Sequence, residues 1–266
     1  MNIVTLTTDF GTRDYYVAVI KGTILSKGLP VLFADITHEI DNYNIVQASF
    51  ILKNAYQSFP QQSIHLISVH NFYQKTPRFV AVYHNNHYFI GPDNGIFSLL
   101  FDLPLDCIYE INPLQDPQAL AVKNVFADAV AHILQHESLK GIGQKSSFVL
   151  ERHLLRPITG KNHIRGSVLH IDKFSNVILN IDQEVFERIG KGRPFELYFK
   201  RYDPITCLCA NYAEVSAGDV LCLFNAAGLL EIAVNLDKAA TLFGLDIDDA
   251  VQIDFDDSNL PGRTDS

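Results

Sequence analysis

No stretch of this chain stays apolar for the ~20 residues that a helix needs to cross a bilayer, so no integral membrane protein is predicted. The opening MNIVTLTTDF lacks the basic start and apolar plug of a secretion leader and reads as a first strand. Basic residues are in deficit: 21 Lys and Arg against 30 Asp and Glu give a net charge of -9. Non-specific nucleic-acid binding runs on counterion displacement by basic surface, so nucleic-acid partners are not expected. Cysteine is scarce. Cys107, Cys207, Cys209 and Cys222 show no paired spacing, and a chain of 266 residues folds without staples, so they are expected as reduced thiols in a cytoplasmic protein. There is no GxGxxG and no GxxxxGK[ST], so dinucleotide and P-loop readings lack their phosphate cradle. There is no GxSxG, and no cysteine stands out as a nucleophile. His132 and His136 have the i, i+4 spacing of a zinc pair, yet HILQH lacks the glutamate of HExxH and no third ligand suggests itself. Cys207-x-Cys209 has no second pair, so no metal is expected.

What is present is a chain 47% hydrophobic, with the apolar residues spread evenly enough for a real core. In the first half strand and helix signals alternate. IVTLTTDF (3–10), VLFADIT (31–37) and SIHLISV (63–69) read as strands, and residues 14–27, 45–59 and 125–136 carry helical spacing. RFVAVYH and HYFIG flank Asn85-Asn86 and predict a hairpin, because Asn tolerates the left-handed backbone of tight turns. The expectation is an α/β domain over 1–160, with a mostly parallel sheet covered by helices on both faces. Beyond it short strands dominate, and only 239–245 suggests a helix. That pattern predicts a smaller all-β barrel domain over 161–257, followed by a disordered tail over 258–266.

Four places could carry chemistry. Asp9 ends the first strand, where ligands of open α/β sheets bind, and its carboxylate could accept from a vicinal diol such as a ribose; the alternative is a cap on the following turn. GPDNG (91–95) alone reads as a turn. In IDKFSN (171–176), Asp172, Phe174 and Asn176 suit an amine, a flat base and a base edge; the alternative is a polar turn with one core Phe. In NAAGLLEIAV (225–234), small Ala226 and Ala227 leave backbone open to a ligand, or simply make a tight hairpin turn.

Six segments then line up with one family. TTDFGTRDYYVAVIKGTIL (7–25), DITHEIDNYNIVQA (35–48), GPDNG (91–95), VFADAVAHI (125–133), GSVLHIDKFSNVILNI (166–181) and GLLEIAVNLDKAA (228–240) occur in order across nearly the whole chain. In them the chain resembles the S-adenosylmethionine (SAM) hydroxide adenosyltransferases, relatives of the fluorinating and chlorinating enzymes. The resemblance implies an N-terminal α/β domain, a C-terminal β-barrel domain, and a homotrimer binding its ligand between neighbouring subunits. It implies no separate cofactor, SAM being substrate or ligand. It places Asp9 on the ribose hydroxyls, Phe174 and Asn176 at adenine, Asp172 at the methionine amine, and Asn225, Ala226 and Ala227 near the adenine edge. The implied reaction is attack of water on C5′ of SAM, giving adenosine and methionine.

Two loops depart from the family pattern. Where the family reads VDPGVGTxRR, this chain reads VHNFYQKTPR (69–78), with His70 for the Asp, Phe72 and Gln74 for glycines, Pro77 for the first Arg, and Arg78 kept. Where the family reads FHGRDxFAP, this chain has LAVKNVFAD (120–128), with Ala121 for the His and Lys123-Asn124 for Arg-Asp. His70 and Arg78 are therefore the remaining catalytic candidates, since a neutral imidazole can accept a proton from water. The expected function is SAM hydrolysis with reduced or altered activity; the alternative is a nucleoside-binding protein without turnover.

Overall fold

The computed structural model describes residues 2–111 and 122–256. The tail expected over 258–266, and Ala121 of the second departing loop, lie outside the described residues. The chain divides into two units, 1–154 and 155–266.

The first unit runs β1 (Asn2–Thr8), α1 (Tyr16–Leu25), β2 (Val31–Thr37), α2 (Ile45–Ala55), β3 (Ile64–Ser68), β4 (Phe79–His84), β5 (His87–Pro92), α3 (Ile96–Leu100), β6 (Ile108–Ile111), α4 (Val122–His136) and β7 (Gly143–Ser146). The strands form one sheet in the order β2-β1-β3-β5-β4-β6-β7. The expected mostly parallel sheet is corrected here. β2, β1, β3 and β5 pair in parallel, whereas β4, β6 and β7 join through antiparallel pairings, so the sheet is mixed. The cause is the Asn85-Asn86 turn. Both residues have positive φ, 49° and 62°, which folds β4 straight back on β5 with Val82 opposite Phe89 and Tyr83 opposite Tyr88.

Helices cover both faces. Ile20 and Ile24 of α1 and Val122, Phe126 and Val130 of α4 pack with Val4, Leu6, Ile64 and Leu66 on one side. On the other, Leu52 of α2 and Ile96, Phe97 and Leu100 of α3 pack with Ile67, Val80, Val82 and Phe89. A strand buried on both faces reads as an unbroken apolar run, which is why FVAVY sends Phe79 and Ala81 to one core and Val80 and Val82 to the other. Asn44 caps α2 by accepting from Gln47 N at 3.0 Å.

The second unit runs β8 (Ile158–Thr159), β9 (His163–Ile171), β10 (Val177–Asp182), α5 (Gln183–Gly190), β11 (Phe195–Phe199), β12 (Val220–Phe224), β13 (Leu229–Val234), α6 (Ala239–Phe243) and β14 (Ala250–Phe255). Its antiparallel order is β11-β14-β9-β10-β13-β12, with β8 on β9. The two ends of that order, β11 and β12, do not pair with each other; Leu197 of β11 bridges to Ile205 and Cys222 of β12 to Leu208, so the expected barrel takes the form of a curled half-barrel sheet. Ile164, Leu179, Leu197, Ile232 and Ile253 fill its concave core beneath Phe186, Phe195 and Phe255. Helix α5 was not expected. Eight residues carry too little periodicity, but Val185, Phe186 and Ile189 turn inward once Asp182 caps the start by accepting from Val185 N at 2.6 Å.

No helix among the described residues is long and apolar enough to cross a membrane, and all four cysteines are unpaired thiols.

One polar line crosses the first core. Thr5 Oγ1 lies 2.7 Å from His65 Nδ1, and His65 Nε2 lies 3.1 Å from His87 Nδ1, beneath the rings of Tyr56 and Phe89. Burial, with the His87 ring beside it, pushes the His65 imidazole from 6.5 down to about 3. The unfolded chain therefore takes up a proton below pH 6.5 that the folded chain refuses, and stability is lost as pH falls through this range. Melting temperatures followed from neutral pH down to about pH 5, above the carboxylate range, should fall, and the slope should flatten in His65→Gln. An equal slope in the variant would assign the acid sensitivity elsewhere.

Candidate functional site

In the first unit the carboxyl ends of parallel strands β1, β2 and β3 leave a polar crest. Asp9 follows β1 directly, and its Oδ2 accepts two backbone N–H groups, from Tyr43 and from His70, each at 3.1 Å. Both donors sit on left-handed backbone, Tyr43 at φ 68° and His70 at φ 52°. Such conformations are costly for residues with a Cβ and persist where surrounding bonds hold them. Asn94 of GPDNG supplies more of that hold: its Nδ2 donates to the carbonyls of Val69 (3.0 Å) and His70 (3.3 Å). The Asp9 cap and a ligand role coexist, because Oδ1 has no partner among the described residues. The His70 ring is half-buried, meets the Tyr43 ring edge-on at 5.3 Å, and has no hydrogen bond from either nitrogen among the described residues.

Beneath the crest lies a relay that sequence reading passed over. Thr8 Oγ1 sits 2.9 Å from His38 Nδ1, His38 Nε2 is 3.2 Å from Asp35 Oδ2, and Lys21 Nζ is 2.5 Å from the same oxygen. The His38 carbonyl takes the Gly11 N–H at 2.7 Å, where Gly11 has φ 66°. The relay thus fixes the turn that carries Asp9. Its only sequence signal was the polar DITHEI segment at the end of a strand.

Arg78 lies elsewhere in its chemistry. Nη1 donates to Asp93 at 2.6 Å, Nε to Glu110 at 2.9 Å and Nη2 to Ser146 Oγ at 2.7 Å, with the guanidinium over the Phe148 ring at 4.6 Å. Burial raises the Asp93 carboxyl, offset in part by the Leu150 N–H and the Arg78 charge. Arg78 therefore pins the far end of the 69–78 loop to β6, β7 and the segment after them. Phe72, within that loop, is 45% exposed.

In the second unit Asp172, Phe174 and Asn176 come together between β9 and β10. Asp172 Oδ1 accepts from the backbone N–H groups of Phe174 (2.9 Å) and Asn176 (2.8 Å), and Oδ2 from Asn176 Nδ2 (3.2 Å). This carboxylate organises the loop before anything else touches it. Ser175 turns at φ 69°, Asn176 is buried, and Phe174 is 75% exposed. The alternative of a core Phe is thereby removed: an aromatic face stands out on a rigid loop.

Asn225, Ala226 and Ala227 form the turn between β12 and β13. Asn225 Oδ1 accepts from Ala227 N (3.0 Å) and Leu229 N (3.2 Å), while Nδ2 donates to Glu231 Oε2 at 3.1 Å. Glu231 is 3% exposed, and its Oε1 accepts the Tyr212 hydroxyl at 2.6 Å. Neither Glu231 nor Tyr212 was singled out from the sequence, where a glutamate inside LLEIAV reads as an outward-facing strand position. Among the described residues no group of three metal-ligating side chains comes together; His132 spends Nε2 on the Lys140 carbonyl at 2.9 Å.

Comparison with known proteins agrees with this division. Residues 4–143 match the SAM hydroxide adenosyltransferase N-terminal domain, and residues 166–252 match the SAM hydroxide adenosyltransferase C-terminal domain. A (R)-S-adenosyl-L-methionine hydrolase from Methanocaldococcus jannaschii is 27% identical, over 95% of this chain and 96% of that protein. A protein of the same name from Thermus thermophilus is 28% identical over 89% and 93%. The crystal structure of an uncharacterized conserved protein from Thermotoga maritima superposes with a TM-score of 0.84 at 26% identity, covering 94% of this chain and 99% of that one. With both domain signatures in order along the chain, this protein belongs to the SAM hydroxide adenosyltransferase family.

Proposed function

We propose that the protein binds SAM and hydrolyses it slowly to adenosine and methionine. The observation that carries this reading is the pre-set Asp9 carboxylate, one oxygen fixed by two backbone donors and the other without a partner among the described residues, in a chain of this family. Asp9 takes the ribose diol, Phe174 and Asn176 take adenine, Asp172 takes the methionine amine, and the Asn225–Ala227 turn borders the base. Water attacks C5′, the C5′–S bond breaks with its electron pair passing to sulfur, and the water proton leaves to a base. The sulfonium departs as a neutral thioether, so no general acid is required, and the protein's work is positioning and water exclusion. His70 is the proposed proton acceptor, because its ring nitrogens have no hydrogen bond among the described residues and its backbone is bound to Asp9. Arg78 acts in this proposal through the loop it anchors. The protein is further proposed to be cytoplasmic and to assemble as a homotrimer, and sedimentation of the purified chain tests the assembly.

Incubation with SAM should release adenosine, measured by chromatography, and His70→Ala should reduce the rate by ~100-fold, within the usual span for a general base. Binding without turnover is favoured by the replaced loop and its bulky Phe72. It would be the answer if SAM binds and no adenosine rises above the blank. In either case Asp9→Ala and Asn176→Ala should each weaken adenosine binding, by ~10- to 100-fold if a charge-assisted bond of about 1.5–3 kcal/mol is lost at Asp9. Unchanged affinity in both would reject the site assignment. Arg78→Met should chiefly lower the melting temperature, since it strands the buried Asp93 carboxylate at a cost of about 3–5 kcal/mol. Lost turnover at unchanged stability would instead place Arg78 on the substrate.

A further inference from the structure

We infer that Glu231 and Tyr212 are positioning residues for the nucleoside loop: they force one orientation on the Asn225 amide and so decide which backbone groups of the turn face a ligand. This inference rests on the nucleoside reading above and deepens it.

Glu231 lies on a central strand, opposite Ile178 of β10 and Leu223 of β12. Its neighbours there are apolar, and a buried carboxylate is costly wherever it is not fully paired. No Lys or Arg pairs with it among the described residues; its partners are the Tyr212 hydroxyl and the Asn225 amide. A leucine would suit the strand better, so the carboxylate contributes something other than packing. That contribution is acceptor capacity. An Asn side chain has an oxygen end and a nitrogen end of nearly equal shape, and its neighbours decide which points where. Both carboxyl oxygens of Glu231 act as acceptors here, Oε1 from the Tyr212 hydroxyl and Oε2 from Asn225 Nδ2, which leaves Oδ1 of Asn225 facing the N–H groups of Ala227 and Leu229.

The rest of the turn follows. Gly228 N donates to the Asn225 carbonyl at 2.9 Å, Asn225 N to the Leu229 carbonyl at 3.0 Å, and the Gly228 carbonyl takes Gln183 N at 3.0 Å. What remains without a partner among the described residues is the Ala226 N–H with the Ala226 and Ala227 carbonyls, a donor and two acceptors on side chains too small to cover them. Reversing the amide would set Nδ2 against two N–H donors and collapse that presentation. Tyr212 completes the array from a turn whose start is held by Asn211 Oδ1 accepting from Ala213 N at 2.9 Å. Its hydroxyl is raised far above the usual tyrosine range by burial, by the Glu231 hydrogen bond and charge, and by the charge of Asp172, so it stays a donor.

Calorimetry with adenosine on the full chain tests the assignment. Glu231→Leu, which keeps the strand apolar, should weaken binding about tenfold, and in an Asn225→Ala background it should weaken it no further, because both act through one amide. Asn225→Asp alone sets two carboxylates against each other and should also weaken binding. Adding Glu231→Gln to it supplies a new donor with the roles exchanged, and affinity should return to within about threefold of wild type. Tyr212→Phe removes a single hydrogen bond and serves if Glu231→Leu does not fold. Wild-type affinity in Glu231→Leu, full additivity with Asn225→Ala, or a folded double exchange that stays weak would each overturn the positioning role while leaving the nucleoside reading intact. A wild-type chain that binds neither adenosine nor SAM ends both.

Discussion

A carboxylate at the end of a buried strand must be satisfied, and in the first unit the geometry of the crest follows from how Asp9 meets that requirement. One oxygen gathers backbone N–H groups from two loops far apart in sequence, at Tyr43 and His70. Both pay for the contact in backbone strain, since both stand in the left-handed region without being glycine. Asn94 holds one loop from behind, and the Thr8–His38–Asp35–Lys21 relay holds the turn that carries Asp9. The strained positions are therefore over-determined, the condition under which strain survives at a functional site.

The second unit uses the same device with different residues. Asp172 closes its own loop with three hydrogen bonds before any ligand arrives, and Asn225 does so with two while being oriented from beneath by Glu231. Each loop is pre-organised, so ordering costs are met in folding rather than at binding. Phe174 stands on such a loop, its aromatic face exposed and its backbone N–H held by Asp172.

The departing loop of residues 69–78 is anchored at both ends by different chemistry. His70 is held by its backbone to Asp9, its imidazole without a hydrogen bond among the described residues, whereas Arg78 is held by its side chain to Asp93, Glu110 and Ser146, with all three guanidinium nitrogens engaged. An arginine so engaged is a structural clamp.

Much of this was legible in the residues themselves. Apolar periodicity marked β1, β2, β3, α2 and α4, the Asn85-Asn86 pair marked its hairpin, and the ordered motifs marked both the family and the loops at Asp9, Asp172 and Asn225. These are local properties: spacing, turn chemistry and side-chain type act within a few residues of where they are read. What only the tertiary structure decided depends on partners distant in the chain. The order that places β4 antiparallel between β5 and β6, the end strands of the second sheet that do not pair with each other, the burial of Glu231, and the commitment of Arg78 to residues 15, 32 and 68 positions away all arise that way. A charged side chain in sequence shows only that it needs a partner; the fold alone determines which one it finds.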